Sequence, residues 1–268
     1  QNNLLAASAA AASAGGGGFY DHQIEQSCRF DVGSTSYLSR TLGTPSNSDI
    51  MTISAWIKRG LLGSTHYKWA GFGYSTGGGD YGMIGFNGGT PDVFEVYDYP
   101  SSNLNYKTTG VFRDTGGWTH FVVRLDTSQS TEGDRVRIYV NGTEVTDFGT
   151  SNTPSQNADI GYNTSGRTFY VGSAGDTNNN AYQPYDGYIA EFIMADGQSY
   201  APTQFGESKN GVWIPKDPSG TTFGDNGFHL KFENASDLGN DSSGNNNDFT
   251  ASGLGADHQV LDSPTFGS

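Results

Sequence analysis

The sequence predicts an all-β protein in which two antiparallel sheets pack as a sandwich. From residue 19 onward, short runs alternate apolar and polar residues, which is the pattern of strands with one buried face. Glycine accounts for 39 of 268 residues, and Asn, Ser and Asp separate the runs, as expected of many short strands joined by turns. No long stretch repeats apolar residues at helical spacing, which disfavours an α/β fold because that fold needs a helix between parallel strands.

The predicted strands are short and are mostly separated by glycine-rich turns. In chain order they are Ser27–Phe30, Met51–Lys58, Lys68–Tyr74, Tyr81–Phe86, Val93–Tyr99, Thr119–Leu125, Arg135–Val140, Thr143–Thr146, Thr168–Gly172, Tyr188–Met194 and Phe228–Glu233. The pair Asn141-Gly142 between two runs predicts a hairpin with a type I′ turn. A short helical turn is expected at Pro202–Ser208.

Composition divides the chain into three parts. Residues 1–18 are rich in Ala, Ser and Gly and are predicted to be an arm or linker. Residues 19–208 hold most of the strands and are predicted to form the sandwich. Residues 209–268 are predicted to be an acidic appendage packed on it, since Asp217–Ser268 carries eight acidic residues and one basic residue.

The charge balance argues against two kinds of partner. With 14 basic and 28 acidic residues the formal net charge is −14, which disfavours binding to nucleic acid and to anionic membranes. No apolar run reaches the length of a membrane span. The single cysteine, Cys28, lies in a predicted strand, so we expect a buried, unreactive thiol.

Five segments in a fixed order resemble the concanavalin A-like, laminin-G-like jelly rolls. They span roughly residues 28–208 and are Arg29–Asp31 with Ser36–Ser39, Ile53–Lys58, Gly117–Val123, Arg137–Gly142 and Asp186–Phe192. The resemblance implies a jelly-roll sandwich of two antiparallel sheets. It also implies that Trp56 and Trp118 supply apolar area to the interior between the sheets.

A narrower set of segments resembles virion-associated proteins of marine and cyanobacterial tailed phages. These segments are Gln26–Phe30, Tyr37–Thr41, Leu230–Phe232, Asp241–Asn245 and Asp257–Pro264. The resemblance implies a structural protein on the virion surface, as fibre, spike or capsid decoration, with other virion proteins as partners. Self-association, as a trimer for example, fits such fibres, although no coiled-coil heptad supports it.

Catalysis is not expected. Glycoside hydrolases with this sandwich alternate two or three carboxylates along one strand, so that acid and nucleophile reach one cleft. The nearest approach is Glu95 with Asp98, whose spacing places them on opposite faces. The five histidines show no metal-ligand spacing. A polysaccharide hydrolase is therefore the least favoured function.

A glycan site needs an aromatic platform together with amide or carboxylate groups. Between residues 72 and 100 the sequence offers such side chains, and the candidates are Tyr74, Asp80, Tyr81, Asn87, Tyr97 and Tyr99. The same spacing suits core packing or a protein interface, where tyrosine is enriched. A soluble, carbohydrate-binding, lectin-like module that recognises surface glycans is thus the alternative to the virion role.

Calcium is not required by any motif, but one loop has suitable oxygen ligands. Asp176, Asn178, Asn180 and Asp186 precede the last strand of the jelly roll, and oxygen-rich loops suit calcium. The same residues are typical of a solvated turn. Both interpretations remain open on the sequence alone.

Overall fold

The structure is a computed structural model that describes residues 18–73, 79–176, 178 and 180–266. Residues 1–17, which make up most of the predicted arm, and Tyr74 lie outside the described residues. The described residues form twenty strands and four short 3₁₀ turns. The strands are β1 (Ser27–Phe30), β2 (Tyr37–Thr41), β3 (Ile50–Arg59), β4 (Tyr67–Gly73), β5 (Tyr81–Phe86), β6 (Val93–Tyr99), β7 (Leu104–Val111), β8 (Thr119–Asp126), β9 (Val136–Val140), β10 (Thr143–Glu144), β11 (Phe148–Asn152), β12 (Thr168–Val171), β13 (Ala174–Gly175), β14 (Ala181–Tyr182), β15 (Gly187–Asp196), β16 (Gly206–Lys209), β17 (Val212–Pro215), β18 (Phe228–Leu230), β19 (Thr250–Ser252) and β20 (Gln259–Val260).

Two eight-stranded antiparallel sheets form the sandwich, which confirms the predicted fold class. Sheet I has the order β10-β9-β8-β3-β15-β1-β20, with β18 also paired to β15. Sheet II has the order β11-β7-β6-β5-β4-β12-β2-β19. Two small hairpins, β13-β14 and β16-β17, complete the pairing. Among the described residues no helix is long and apolar enough to cross a membrane.

The predicted Asn141-Gly142 hairpin is confirmed. Asn141 and Gly142 have φ of 47° and 76°, the pair of positive values that a type I′ turn requires. A Cβ at Gly142 would lie 2.3 Å from the Trp213 ring, so the missing side chain also allows a close approach. This turn therefore joins β9 to β10 and supports the β16-β17 hairpin at the same point.

The core lies between the sheets and is dominated by aromatic rings. Trp69 is fully buried and contacts Phe94, Phe121 and Phe192, with ring centroids 6.0, 6.3 and 5.9 Å away. These rings come from strands of both sheets, so they hold the two layers together. Cys28 is also fully buried there, as predicted, and burial raises the pKa of its thiol.

The expectation that Trp56 and Trp118 pack between the sheets is wrong. Alternation along β3 turns Met51, Ile53, Ala55 and Ile57 into the core, so Trp56 must face the other way. It packs on the outer face of sheet I in a separate cluster whose other members are Ile24, Trp118, Ala190 and Trp213. Other segments of the chain thus cover this apolar cluster on the outer face of sheet I.

Residues 209–268, predicted as an appendage packed on the sandwich, contribute strands to both sheets. Strand β18 pairs with β15 and β20 pairs with β1 in sheet I, while β19 pairs with β2 in sheet II. Five apolar side chains of this segment belong to the main core: Phe228, Leu230, Phe232, Leu238 and Phe249. The acidic segment is thus an integral part of the fold.

Candidate functional site

Three of the predicted tyrosines form one cluster on the outer face of sheet II. Tyr81 lies opposite Tyr99 across the β5-β6 pair, and Tyr97 lies opposite Met83 two residues away. Ring centroids are 5.5 Å apart for Tyr81 and Tyr97, 6.3 Å for Tyr81 and Tyr99, and 6.4 Å for Tyr97 and Tyr99. Strand alternation sends Phe94 and Val96 into the core and leaves these rings outside. We call Tyr81, Tyr97 and Tyr99 the tyrosine platform.

A groove of about 420 Å³ runs beside the platform. Its walls are Tyr81, Met83, Asp176, Tyr182 and Gln183, so the β13-β14 hairpin forms one side of it. A second depression, of about 760 Å³, shares the walls Tyr182 and Gln183 and continues past the hairpin. Among the described residues the groove therefore has apolar and aromatic walls and one carboxylate, the form of a small-molecule site.

The hairpin residues of this groove were not predicted from the sequence. Tyr182 is 48% exposed, and Gln183 has a backbone φ of 55°, which is unfavourable for a residue other than glycine. The Gln183 carbonyl accepts a hydrogen bond from the Lys68 backbone, 3.2 Å away, which fixes the hairpin to β4. The backbone conformation of Gln183 and its place at the groove could be found only from coordinates.

A charged row crosses sheet II next to the platform. In register across four strands stand Lys68, Gly85, Glu95 and Lys107. A Cβ at Gly85 would lie 2.7 Å from the Lys68 Cα, so glycine leaves room for Lys68 to reach Glu95 across β5. The Lys68 and Lys107 ammonium groups lie 2.5 and 3.2 Å from opposite oxygens of the Glu95 carboxylate.

Burial and ion pairing act in opposite directions on the pKa values of this row. Burial lowers the pKa of Lys68, whose side chain is 0% exposed, although Glu95 opposes the shift. Burial also acts to raise the pKa of Glu95, but Lys68, Asn87 and Lys107 together outweigh it and the pKa is lowered. The predicted glycan ligand Asn87 belongs here, because its amide donates to Glu95 at 2.9 Å. Asn87 thus supports the charged row and is buried.

The last predicted glycan ligand also has a partner within the protein. The Asp80 carboxylate forms an ion pair with the Arg167 guanidinium at the start of β5. Of the six predicted glycan residues, the structure brings Tyr81, Tyr97 and Tyr99 together, places Asp80 and Asn87 in polar contacts nearby, and does not describe Tyr74.

Three of the four predicted calcium ligands lie in one turn, and the fourth lies at the start of the next long strand. Asp176 Oδ1 accepts backbone N–H bonds from Asn178 and Asn180, both 2.8 Å away, so these three residues form a turn at the tip of the β13-β14 hairpin. Asp186 lies at the start of β15, where its backbone carbonyl accepts from Gly60 at 2.9 Å. Within the described ranges, no three His, Cys, Asp or Glu side chains are placed to hold a metal ion.

The two-sheet architecture agrees with a family match in the sequence. A family model described as the concanavalin A-like lectin/glucanases superfamily, of the laminin G type, matches residues 32–197. The chain belongs to this superfamily. No curated protein matches the sequence.

Solved structures with a similar fold share little sequence with this chain. A candidate carbohydrate-binding protein from Bacteroides ovatus aligns with a TM-score of 0.58 and 18% identity, over 91% of this chain and 62% of its own length. A heptameric pentraxin from Limulus polyphemus aligns with a TM-score of 0.47 and 15% identity, over 68% and 81%. This chain therefore spans less than two thirds of the Bacteroides protein, and the likeness shows a shared fold.

The superfamily includes both lectins and glucanases, so the carboxylates of this member matter. Glu95 faces outward in the charged row, whereas Asp98 faces the interior of the sandwich. Asp98 Oδ2 accepts from the Gly161 N–H at 2.7 Å and from the Ser102 hydroxyl at 2.8 Å, and burial raises the pKa of Asp98 to about 6. The two carboxylates lie on opposite faces, as their spacing predicts, and cannot flank one glycosidic bond.

One buried pair in this lectin-like domain resembles a nucleophile and its base. Ser54 Oγ lies 2.8 Å from His120 Nε2, on the outer face of sheet I. The Trp213 indole N–H, which can only donate, lies 3.0 Å from His120 Nδ1. The His120 proton must therefore sit on Nε2 and point at Ser54, so His120 cannot accept the serine proton. Burial also lowers the pKa of His120 to about 3, which keeps the ring neutral.

A second polar cluster of the domain fastens residues from both chain ends to β15. Glu191 Oε1 lies 2.8 Å from His22 Nε2 and 3.4 Å from His229 Nε2. Burial acts to raise the pKa of Glu191, but the hydrogen bond with His22 and the proximity of His229 together outweigh it and lower the pKa to about 2. Glu191 itself has a φ of 45° in the bulge of β15. The cluster is a structural clamp beneath a small groove that includes Ile24 and Lys231.

Proposed function

We propose that this chain is a non-enzymatic carbohydrate-binding module that holds a saccharide in the groove beside the tyrosine platform. The observation that carries the proposal is the platform itself, three clustered tyrosines from adjacent strands, of which Tyr81 also lines a groove with a carboxylate at its wall. The faces of sugar rings are apolar and pack on aromatic rings, while their hydroxyls need polar partners at the edge. Tyr99, which is 47% exposed, offers such a face to solvent.

The opposed carboxylates of β6 and the tautomer of His120 support binding without catalysis. Glu95 is held by two lysines and Asp98 is sealed in the interior, so neither is available as a paired acid and base. A candidate carbohydrate-binding role is also the description of the Bacteroides ovatus protein with this fold.

Tyr97→Ala is expected to weaken saccharide binding at least about tenfold, which corresponds to roughly 1.4 kcal/mol. The substitution removes a ring that contacts both Tyr81 and Tyr99, so the platform loses two of its three ring contacts. A glycan array identifies a bound oligosaccharide, and isothermal titration then measures its affinity for both proteins.

The matched control is Tyr188→Ala, a partly exposed tyrosine on sheet I that contacts Trp118. It should leave affinity unchanged. Equal affinity of the Tyr97 variant and the original protein, with both folded by circular dichroism, would place the binding site elsewhere. An array without any bound glycan at high protein concentration would contradict carbohydrate binding itself.

Binding is expected to persist after calcium is removed with a chelator. The Asp176 turn is already held by two backbone N–H donors, so it keeps its shape without a cation. Titrations of the same oligosaccharide in chelator and in millimolar calcium test this expectation. A loss of affinity in chelator would establish calcium as a cofactor of the turn.

We further propose that the module is displayed on a phage particle and self-associates there. The support is the sequence resemblance to virion-associated proteins, carried by segments that include Tyr37–Thr41 and Asp241–Asn245. Antibody raised against residues 19–208 should label capsids or tails at regular positions in immunogold electron microscopy. Label that is restricted to cells or medium would contradict this role and leave a free lectin.

A further inference from the structure

We infer that the groove beside the tyrosine platform selects uncharged saccharides over acidic ones, because the carboxylate of Asp176 is the one charged group among the described residues of its walls. This inference rests on the proposed carbohydrate binding and names the class of sugar that the site accepts. It follows from the negative charge of Asp176 at the groove wall and from the pairing of the nearby cations with other carboxylates.

Asp176 is the one ionisable carboxylate or basic side chain among the described residues that line the groove. Its Oδ1 accepts two backbone N–H bonds, and its Oδ2 lies at the long distance of 3.4 Å from the Asn180 amide. Burial acts to raise the pKa of Asp176, but the backbone hydrogen bonds of Asn180 and Asn178 outweigh it, so the pKa is lowered and the group is ionised. Oδ2 is therefore an anionic acceptor with capacity for donors from a ligand.

The cations near the platform are already paired. Lys68 and Lys107 both contact Glu95, and Arg167 contacts Asp80. Lys68 is also sealed, with no exposed side-chain area. A uronate or sialate in the groove would therefore meet the Asp176 carboxylate, and none of the described wall residues supplies an ammonium or guanidinium to offset it. Like charges at short range repel.

A neutral sugar has the complementary chemistry. Its ring packs on Tyr81 and Tyr97, and a hydroxyl at the ring edge can donate to Asp176 Oδ2 in a charge-assisted hydrogen bond. The chain as a whole carries a net charge of −14, which repels acidic polymers further at low salt.

The test uses saccharides that differ in charge alone. An array carries galacturonan oligomers beside their methyl esters, and sialylated glycans beside their desialylated forms. We expect bound members to be confined to the uncharged half of each pair. Preferential binding of acidic members would overturn the inference while supporting carbohydrate binding, and an array with no bound member would contradict the proposed function as well.

Asp176→Asn assigns the selectivity to this residue. Asparagine keeps an oxygen for the two backbone N–H bonds but removes the charge, so the turn should persist. We expect the preference for the neutral member of a pair to fall at least about tenfold. Asp257→Asn, at a carboxylate that is 86% exposed and outside the groove, is the matched control and should keep the preference. An unchanged preference in the Asp176 variant would overturn the assignment.

Discussion

Phe228→Ala is expected to lower the free energy of unfolding by ~3–5 kcal/mol, as large-to-small changes in a packed core do. Phe228 is fully buried, and its ring centroid lies 4.6 Å from that of Phe249 and 5.5 Å from that of Phe169. It also stacks on Phe192 of β15 at 5.7 Å. The cavity would therefore open between rings that belong to both sheets, and no single strand could close it. Urea denaturation followed by tryptophan fluorescence measures the change.

The control for this prediction is Leu261→Ala in the same C-terminal segment. Leu261 is 63% exposed, so its truncation should change the unfolding free energy by less than about 0.5 kcal/mol. Deleting residues 228–268 should leave no cooperatively folded domain, because the main core loses five apolar side chains. A truncated chain that still unfolds cooperatively would show that residues 19–227 form the domain by themselves.

The sequence located many strands correctly but could not show where the domain ends. Strand alternation is a local property, and Tyr81–Phe86 and Val93–Tyr99 have the predicted bounds. The C-terminal residues looked like an appendage because Asp and Asn crowd them. In the structure these polar groups bond the backbone: Asp241 accepts from the His229 and Asn247 N–H groups, which positions β18 against β15. Local composition cannot reveal such long-range pairing.

One part of the candidate site could likewise be predicted from the sequence, and another part could not. The platform could be predicted from the sequence because Tyr97 and Tyr99 are two residues apart on one strand and therefore share a face. The opposite wall, Tyr182 and Gln183, comes from a hairpin far along the chain, and its position depends on the backbone bond to Lys68. Trp56 shows the converse error, because a large apolar side chain was assigned to the main core when a separate segment covers it.

Glu191→Gln is expected to reduce stability by about 3 kcal/mol between pH 4.5 and 6.5 and to flatten its dependence on pH. A folded-state pKa of about 2 against an ordinary value of 4.5 means that Glu191 stabilises the fold above pH 4.5 and loses this effect as the pH falls toward 2. The hydrogen bond to Glu191 raises the pKa of His22 above 6.5, so the stabilising effect of His22 is complete below pH 6.5 and is lost as the pH rises. The clamp is therefore strongest between these limits.

Thermal and urea unfolding from pH 3 to pH 9 test the clamp. Glu233→Gln is the control, since Glu233 borders the same small groove but its side chain is 54% exposed. That variant should keep the original pH profile with a small loss of stability. His22→Gln should remove the decline above pH 6.5 while retaining part of the decline at acid pH, because His229 still faces Glu191. If Glu191→Gln follows the original profile at every pH, the carboxylate does not clamp the chain ends, and the apolar contacts of Ile24 with Trp56 and Ala190 must hold the N-terminal segment instead.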